Sequence, residues 1–181
     1  MPETDELYLG PTTPPLIVVL SGPSGVGKDA ILNRMIELGY PVTVPVTMTT
    51  RGPRPGEVDG VHHIFVTHEQ FQAHLAEGEL LEHAEVYGGN FYGVPRSSVR
   101  VAADSDKHII IRVDVQGAKS LRNTLPDAEF VFLIPSKREN LEAHLRSRGS
   151  EDEAAIQERL AAIEREYDEI EQFRHVIQNV E

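Results

Sequence analysis

The chain has 181 residues, 40% hydrophobic and 25% charged, enough for one domain with a substantial core. Its 29 acidic and 17 basic residues leave a net charge of −12, a surface that repels nucleic acid polymers. No apolar run approaches the roughly 18 residues of a membrane helix, the acidic start (Glu3, Asp5, Glu6) is no secretory leader, and the absence of cysteine excludes disulfides and thiolate metal sites. The chain therefore reads as cytoplasmic, with neither membrane nor nucleic acid as a partner.

Residues 1–15, with Pro2, Pro11, Pro14 and Pro15, read as a flexible extended tail. The apolar run Leu16-Ile17-Val18-Val19-Leu20 then leads into Ser21-Gly22-Pro23-Ser24-Gly25-Val26-Gly27-Lys28-Asp29. Gly22, Gly27 and Lys28 satisfy the phosphate-binding loop G-x-x-x-x-G-K-[ST] at every position but the last, where Asp29 stands. Glycines let successive backbone N–H groups turn around a polyphosphate, the following helix adds its positive end, and Lys28 supplies a point charge. The alternative, a tight turn with an incidental lysine, does not explain why the motif lies between a buried strand and a helix. That helix runs from about Asp29 to Leu38, with Gly39 as its stop.

Val42 to Met48 reads as a second strand, ending in a Pro/Gly-rich loop that carries Arg51 and Arg54. Two arginines held in fixed directions by prolines suit a bidentate grip on one phosphate; a solvated basic loop is the plainer reading. Next come a turn and strand over 59–66, a helix from His68 to Glu77, a strand from Leu80 to Tyr87, a Gly88-Gly89-Asn90 turn, and a helix opened by Pro95. His62 and His63 are adjacent, so on a strand they face opposite sides and cannot share an ion.

Ile109 to Val115 has the β-branched density of a buried strand and delivers Asp114 at its end. Phe130 to Ile134 is another buried strand, followed by a helix over 138–147. Between about 151 and 173, Ile156, Leu160, Ile163, Tyr167 and Ile170 form one stripe of a long helix, a core face rather than a functional one. A last strand covers His175-Val176-Ile177. The alternation predicts an α/β fold with a parallel sheet covered by helices on both faces and its site at the strands' C-terminal ends. Residues 50–94 interrupt it as a small inserted lobe.

At this point the chain resembles the guanylate kinase family from residue 16 to its C-terminus. The resemblance is carried by residues 21–28, by Thr49-Thr50-Arg51-Gly52-Pro53-Arg54-Pro55-Gly56-Glu57-Val58-Asp59-Gly60, by residues 90–97, by Val113-Asp114-Val115-Gln116-Gly117, and by Arg146-Ser147-Arg148-Gly149 with Arg159. It implies a three-layer P-loop fold over 16–181: a core (16–49 and 95–181), a nucleotide-monophosphate-binding lobe (about 50–94) and a helical lid (about 144–160). It also implies phosphoryl transfer from ATP, with Mg2+, to GMP or dGMP, by a monomer or homodimer. Residues 22–29 would bind ATP. Arg51, Arg54, Tyr92 and His63 would hold the acceptor phosphate, and Glu82 and Thr47 would read the guanine. Asp114 would face the acceptor or the metal, Asp29 would join it as a metal ligand, and Lys28, Arg148 and Arg159 would steady the transferring group.

Several positions depart from the family pattern: Asp29 and Ala30 for the hydroxyl pair, His63 for a tyrosine, Val94 for Ser or Thr, Arg112 for a carboxylate and His144 for an arginine. Asp29, His63 and Val94 also suit the ribose 1,5-bisphosphate phosphokinases, relatives that phosphorylate a sugar phosphate. A sugar phosphate, however, gives Glu82 no base to read. A binding module without turnover would have no physical reason to keep Lys28 and Arg148.

Overall fold

The computed structural model describes residues 14–137, 141, 146 and 153–180, without the side chains of Tyr87, Ala154, Ala155, Glu158 and Arg159. Of the helix expected over 138–147 only Leu141, buried in the second core, and Arg146 are described; His144, and Arg148 beyond it, lie outside the described residues. So do most of the N-terminal tail and, within the expected lid, residues 144–145 and 147–152.

Among the described residues, nine strands build two sheets. The first has the order β2 (Val42–Thr43), β7 (His108–Arg112), β1 (Ile17–Ser21), β8 (Glu129–Pro135), β9 (His175–Asn179), every pair parallel. Its central strands bury both faces, and side chains alternate between two cores. Val19, Ile109, Ile111, Phe130 and Phe132 point to one; Leu20, Ile110, Val131 and Leu133 point to the other. The first core is closed by Ala102 of α3 (Arg96–Ala103) and by Ala118 and Leu121 of α4 (Val115–Thr124). The second is closed by Leu32 of α1 (Lys28–Glu37) and Ile163 of α5 (Glu153–Asp168). Ile156 and Ile163 are buried, so the stripe on the long helix is core.

The second sheet has the order β4 (His63–Phe65), β3 (Thr47–Thr49), β6 (Asn90–Pro95), β5 (Leu80–Val86). It has its own small core, in which Phe71 of α2 (His68–Ala76) meets Met48 and Leu80. The Thr67 side chain starts α2 by accepting from Gln70 N while Gln70 Oε1 accepts from Thr67 N.

Three expectations change. The run from Val42 to Met48 is two strands: Pro45 cannot donate to a ladder, and the chain leaves one sheet at Thr43 and enters the other at Thr47. The strand expected through Val115 ends at Arg112, because the Asp114 side chain accepts from Gly117 N at 2.8 Å and starts α4. The long helix stops at Asp168, and a 3-10 turn over Ile170–Gln172 carries the stripe onward.

Candidate active site

The C-terminal ends of β1 and β7 and the face of the second sheet enclose a cavity of about 370 Å³. One wall is the loop between β1 and α1. Gly22 has φ 142° and lies so close to β8 that a Cβ would come within 2.4 Å of Leu133 O, so the turn accepts no side chain. Gly27, at φ 94°, stands before the first turn of α1. Lys28 Nζ folds back over the loop, donating to Gly22 O at 2.5 Å and Pro23 O at 3.2 Å. Pro23 itself is fully buried. Asn179 of β9 ties the loop from outside, its Nδ2 donating to Val26 O at 2.9 Å.

The opposite wall comes from the second sheet and the loop after β3. Arg51 donates through Nη1 and Nη2 to the two Glu57 oxygens at 2.8 and 2.9 Å, and through Nε to the Tyr92 hydroxyl at 3.0 Å. Glu57 also accepts from Arg54 N at 2.7 Å, which fixes the loop so that the Arg54 side chain reaches the cavity. Burial pushes the Glu57 carboxyl up, but the Arg51 fork and the Arg54 N–H outweigh it and hold it at about 2. Thr47 Oγ1 and His63 Nδ1 lie 2.8 Å apart, and Arg112 Nη2 donates to the same hydroxyl at 3.4 Å. Burial, then the Arg51 charge, lowers His63 to about 4, so the ring is neutral at neutral pH.

The floor holds two carboxyl groups. Glu82 of β5 is buried, and its Oε2 has no hydrogen-bond partner among the described residues. Burial first, then the Asp114 charge, raises it to about 8. A side chain at residue 117 would collide with it, since a Cβ there would lie 2.6 Å from Glu82 Oε2; Gly117 leaves it room. Asp114 is also raised by burial, opposed by the Gly117 N–H and the Lys28 charge. Asp29, just past the loop lysine, accepts from Arg112 Nη1.

The sequence-expected residues therefore largely converge. Residues 24–29, Gly22, Thr47, Arg51, Arg54, His63, Glu82, Tyr92 and Asp114 all line the cavity. Arg148 and the Arg159 side chain lie outside the described residues, while Arg146 forks onto Glu153 at 2.5 and 2.9 Å. Val94 lies in the core rather than beside a ligand. Glu57 and Asn179 were not singled out in the sequence. For Glu57 the signal was a carboxylate six residues after Arg51 in a rigid loop; for Asn179 there was none.

A glycine loop and lysine between the central strand and α1, facing an arginine-bearing inserted sheet, define a phosphate-loop α/β protein. The chain belongs to the guanylate kinase family, whose model matches residues 15–181. It is 42% identical to the guanylate kinase of Synechococcus elongatus over 163 residues, 90% of this chain and 88% of that protein. It is 40% identical to that of Halalkalibacterium halodurans over 166 residues, 92% of this chain and 81% of the other. The crystal structure of guanylate kinase from Anaplasma phagocytophilum matches it with a TM-score of 0.71 and 31% identity, covering 93% of this chain and 78% of that one.

Proposed function

We propose that this chain is an ATP-dependent nucleoside monophosphate kinase that moves the γ-phosphoryl group of ATP onto the phosphate of GMP or dGMP. The observation that carries the acceptor is Glu82. A buried carboxyl with an oxygen unpaired among the described residues, on the floor of a cavity between a phosphate loop and an arginine wall, calls for a ligand with adjacent N–H donors. Guanine presents such donors on one edge; adenine and a sugar phosphate do not.

In this reading residues 22–29 hold the ATP phosphates and Lys28 turns from the loop carbonyls to them. Arg51, Arg54, the Tyr92 hydroxyl and the His63 ring hold the acceptor phosphate, with Glu57 keeping Arg51 in position. Thr47 supports the base edge beside Glu82. An acceptor phosphate oxygen attacks the γ-phosphorus and the bond to the β–γ bridging oxygen breaks, so ADP leaves. Positioning and fixed charge supply the catalysis. Arg148 and Arg159, on the proposed lid over about 144–160, would close on the phosphates, and residues about 50–94 would close as the acceptor lobe.

The donor set fits magnesium: Asp29 and Asp114 are hard oxygen ligands on the same cavity, and this ion takes one or two carboxylates plus substrate phosphates. When bound, it would neutralise charge on the transferring phosphates. The reaction would run in the cytoplasm, in a monomer or homodimer.

The test is ATP consumption with GMP, dGMP, AMP, UMP and ribose 1,5-bisphosphate offered separately. GMP should exceed AMP in kcat/KM by about 10⁴–10⁵, as for sites built to pair a substrate N–H or O–H. Faster turnover of ribose 1,5-bisphosphate than of GMP would contradict this reading, as would no turnover of any acceptor.

A further inference from the structure

Arg112 has no role in the scheme above. It ends β7 opposite Leu20 of β1, one residue before that strand's last position, and its side chain is 18% exposed. Nη1 donates to Asp29 in the first turn of α1, and Nη2 reaches Thr47 at the start of β3. One guanidinium thus spans the phosphate loop and the second sheet, on the wall of the cavity between them. Its anionic partner is 63% exposed. A largely buried, permanently charged fork is matched here with a carboxylate that water can readily take back.

We propose that Arg112 binds a phosphate oxygen of the nucleotide, and that Asp29 occupies the guanidinium only while the cavity holds no nucleotide. The inference rests on the reading that the cavity takes ATP. A phosphate offers a planar fork two charged acceptors, a better match than one carboxylate oxygen. The exchange also balances charge. An aspartate in place of a neutral hydroxyl adds a negative charge where a polyphosphate must sit, and Arg112 cancels it. The other cations on the cavity are Lys28, Arg51 and Arg54, and its other acids are Glu82, Asp114 and Glu166. Arg112 reaches both sides, through Asp29 and Thr47.

The experiment is calorimetric titration of the full chain with ATP in excess EDTA, for the wild type, Asp29→Ser, Arg112→Gln and the double variant. Asp29→Ser should tighten binding about tenfold, because the repulsion goes and the guanidinium is released. In the Asp29→Ser background, Arg112→Gln should weaken binding by about tenfold to a hundredfold, the worth of a hydrogen bond to a charged group. In the wild-type background the loss should be larger, since the carboxylate is left uncompensated. If Arg112→Gln costs nothing in the Asp29→Ser background, the arginine only balances Asp29 and the proposal is overturned. Asp29 is exposed, so Asp29→Ser does not threaten the fold. Unchanged or weaker ATP binding by that variant overturns the proposal even if Arg112→Gln fails to fold. A wild type that binds no ATP with magnesium present would overturn the nucleotide reading and this proposal together; normal binding there with either of the earlier results overturns this proposal alone.

Discussion

The two walls of the cavity are made differently. The phosphate-loop wall is continuous in sequence and largely backbone: Gly22 and Gly27 take positive φ, and Lys28 rests on two carbonyls of its own loop. The opposite wall is assembled from side chains on β3, β4, β5, β6, the loop after β3 and the turn before α4, and its shape depends on their mutual contacts. A backbone-built site declares itself as a motif, because the conformation itself demands glycine. A side-chain-built site is written in spacings that only the fold closes. The first wall should tolerate little and lose chemistry outright; the second should lose it in steps.

The largest effect falls on the loop. Lys28→Met should reduce turnover by about 10³-fold or more, the scale of removing a charged group aimed at the transferring phosphate, with the melting temperature nearly unchanged. Steady-state kinetics beside thermal unfolding check it. Equal turnover would erase the distinction between the walls.

On the opposite wall, Arg51→Lys should cost about 10²-fold in kcat/KM for GMP. An ammonium cannot hold both Glu57 oxygens and Tyr92 while facing a phosphate. Comparing KM for GMP with KM for ATP sharpens the point, since the loss should appear in the first. A loss shared equally would mean that the loop also shapes the ATP side.

The smallest effects are in pH. Glu57, at about 2 in the folded chain, lies below its ordinary value of 4.5. Its contribution is therefore present above pH 4.5 and disappears as pH falls towards 2. Glu57→Gln should lower stability at pH 7 on the order of 2 kcal/mol and flatten the acid limb of a denaturation series. Glu82 runs the other way. Raised to about 8, it keeps its proton in the folded state, so its contribution is present below pH 4.5 and is lost as pH rises to about 8. Glu82→Gln should flatten that alkaline decline in the ligand-free protein. Parallel pH–stability curves for both variants and the wild type would contradict the opposite environments of the two carboxyl groups.

The parallel sheet was readable because Ile109-Ile110-Ile111 and Phe130-Val131-Phe132-Leu133 have no polar alternation, the mark of a strand covered on both faces. The phosphate loop was readable for the reason given above. Val42 to Met48 misled because its apolar residues run past Pro45, and only the missing N–H says that one run serves two sheets. Helix α4 was hidden by Gly117, a poor helix former whose value lies in the space it leaves for Glu82 thirty-five residues earlier in the chain. Arg112 stood out as a departure from the family pattern, but its bridge from Asp29 to Thr47 needed β7 placed between β1 and β2. Asn179 had no readable role, because its partner, Val26 O, is a backbone atom 153 residues away.

The central claim is that a buried, protonated Glu82 ionises to receive guanine. Calorimetry of GMP binding at pH 7 in buffers of different ionisation enthalpy measures it directly. With Glu82 near 8 in the free protein, binding should release close to one proton per GMP from the wild type. Glu82→Gln should release almost none and bind GMP more weakly. Equal proton release by wild type and Glu82→Gln would contradict the account, leaving Glu82 a buried acid with no part in choosing the acceptor.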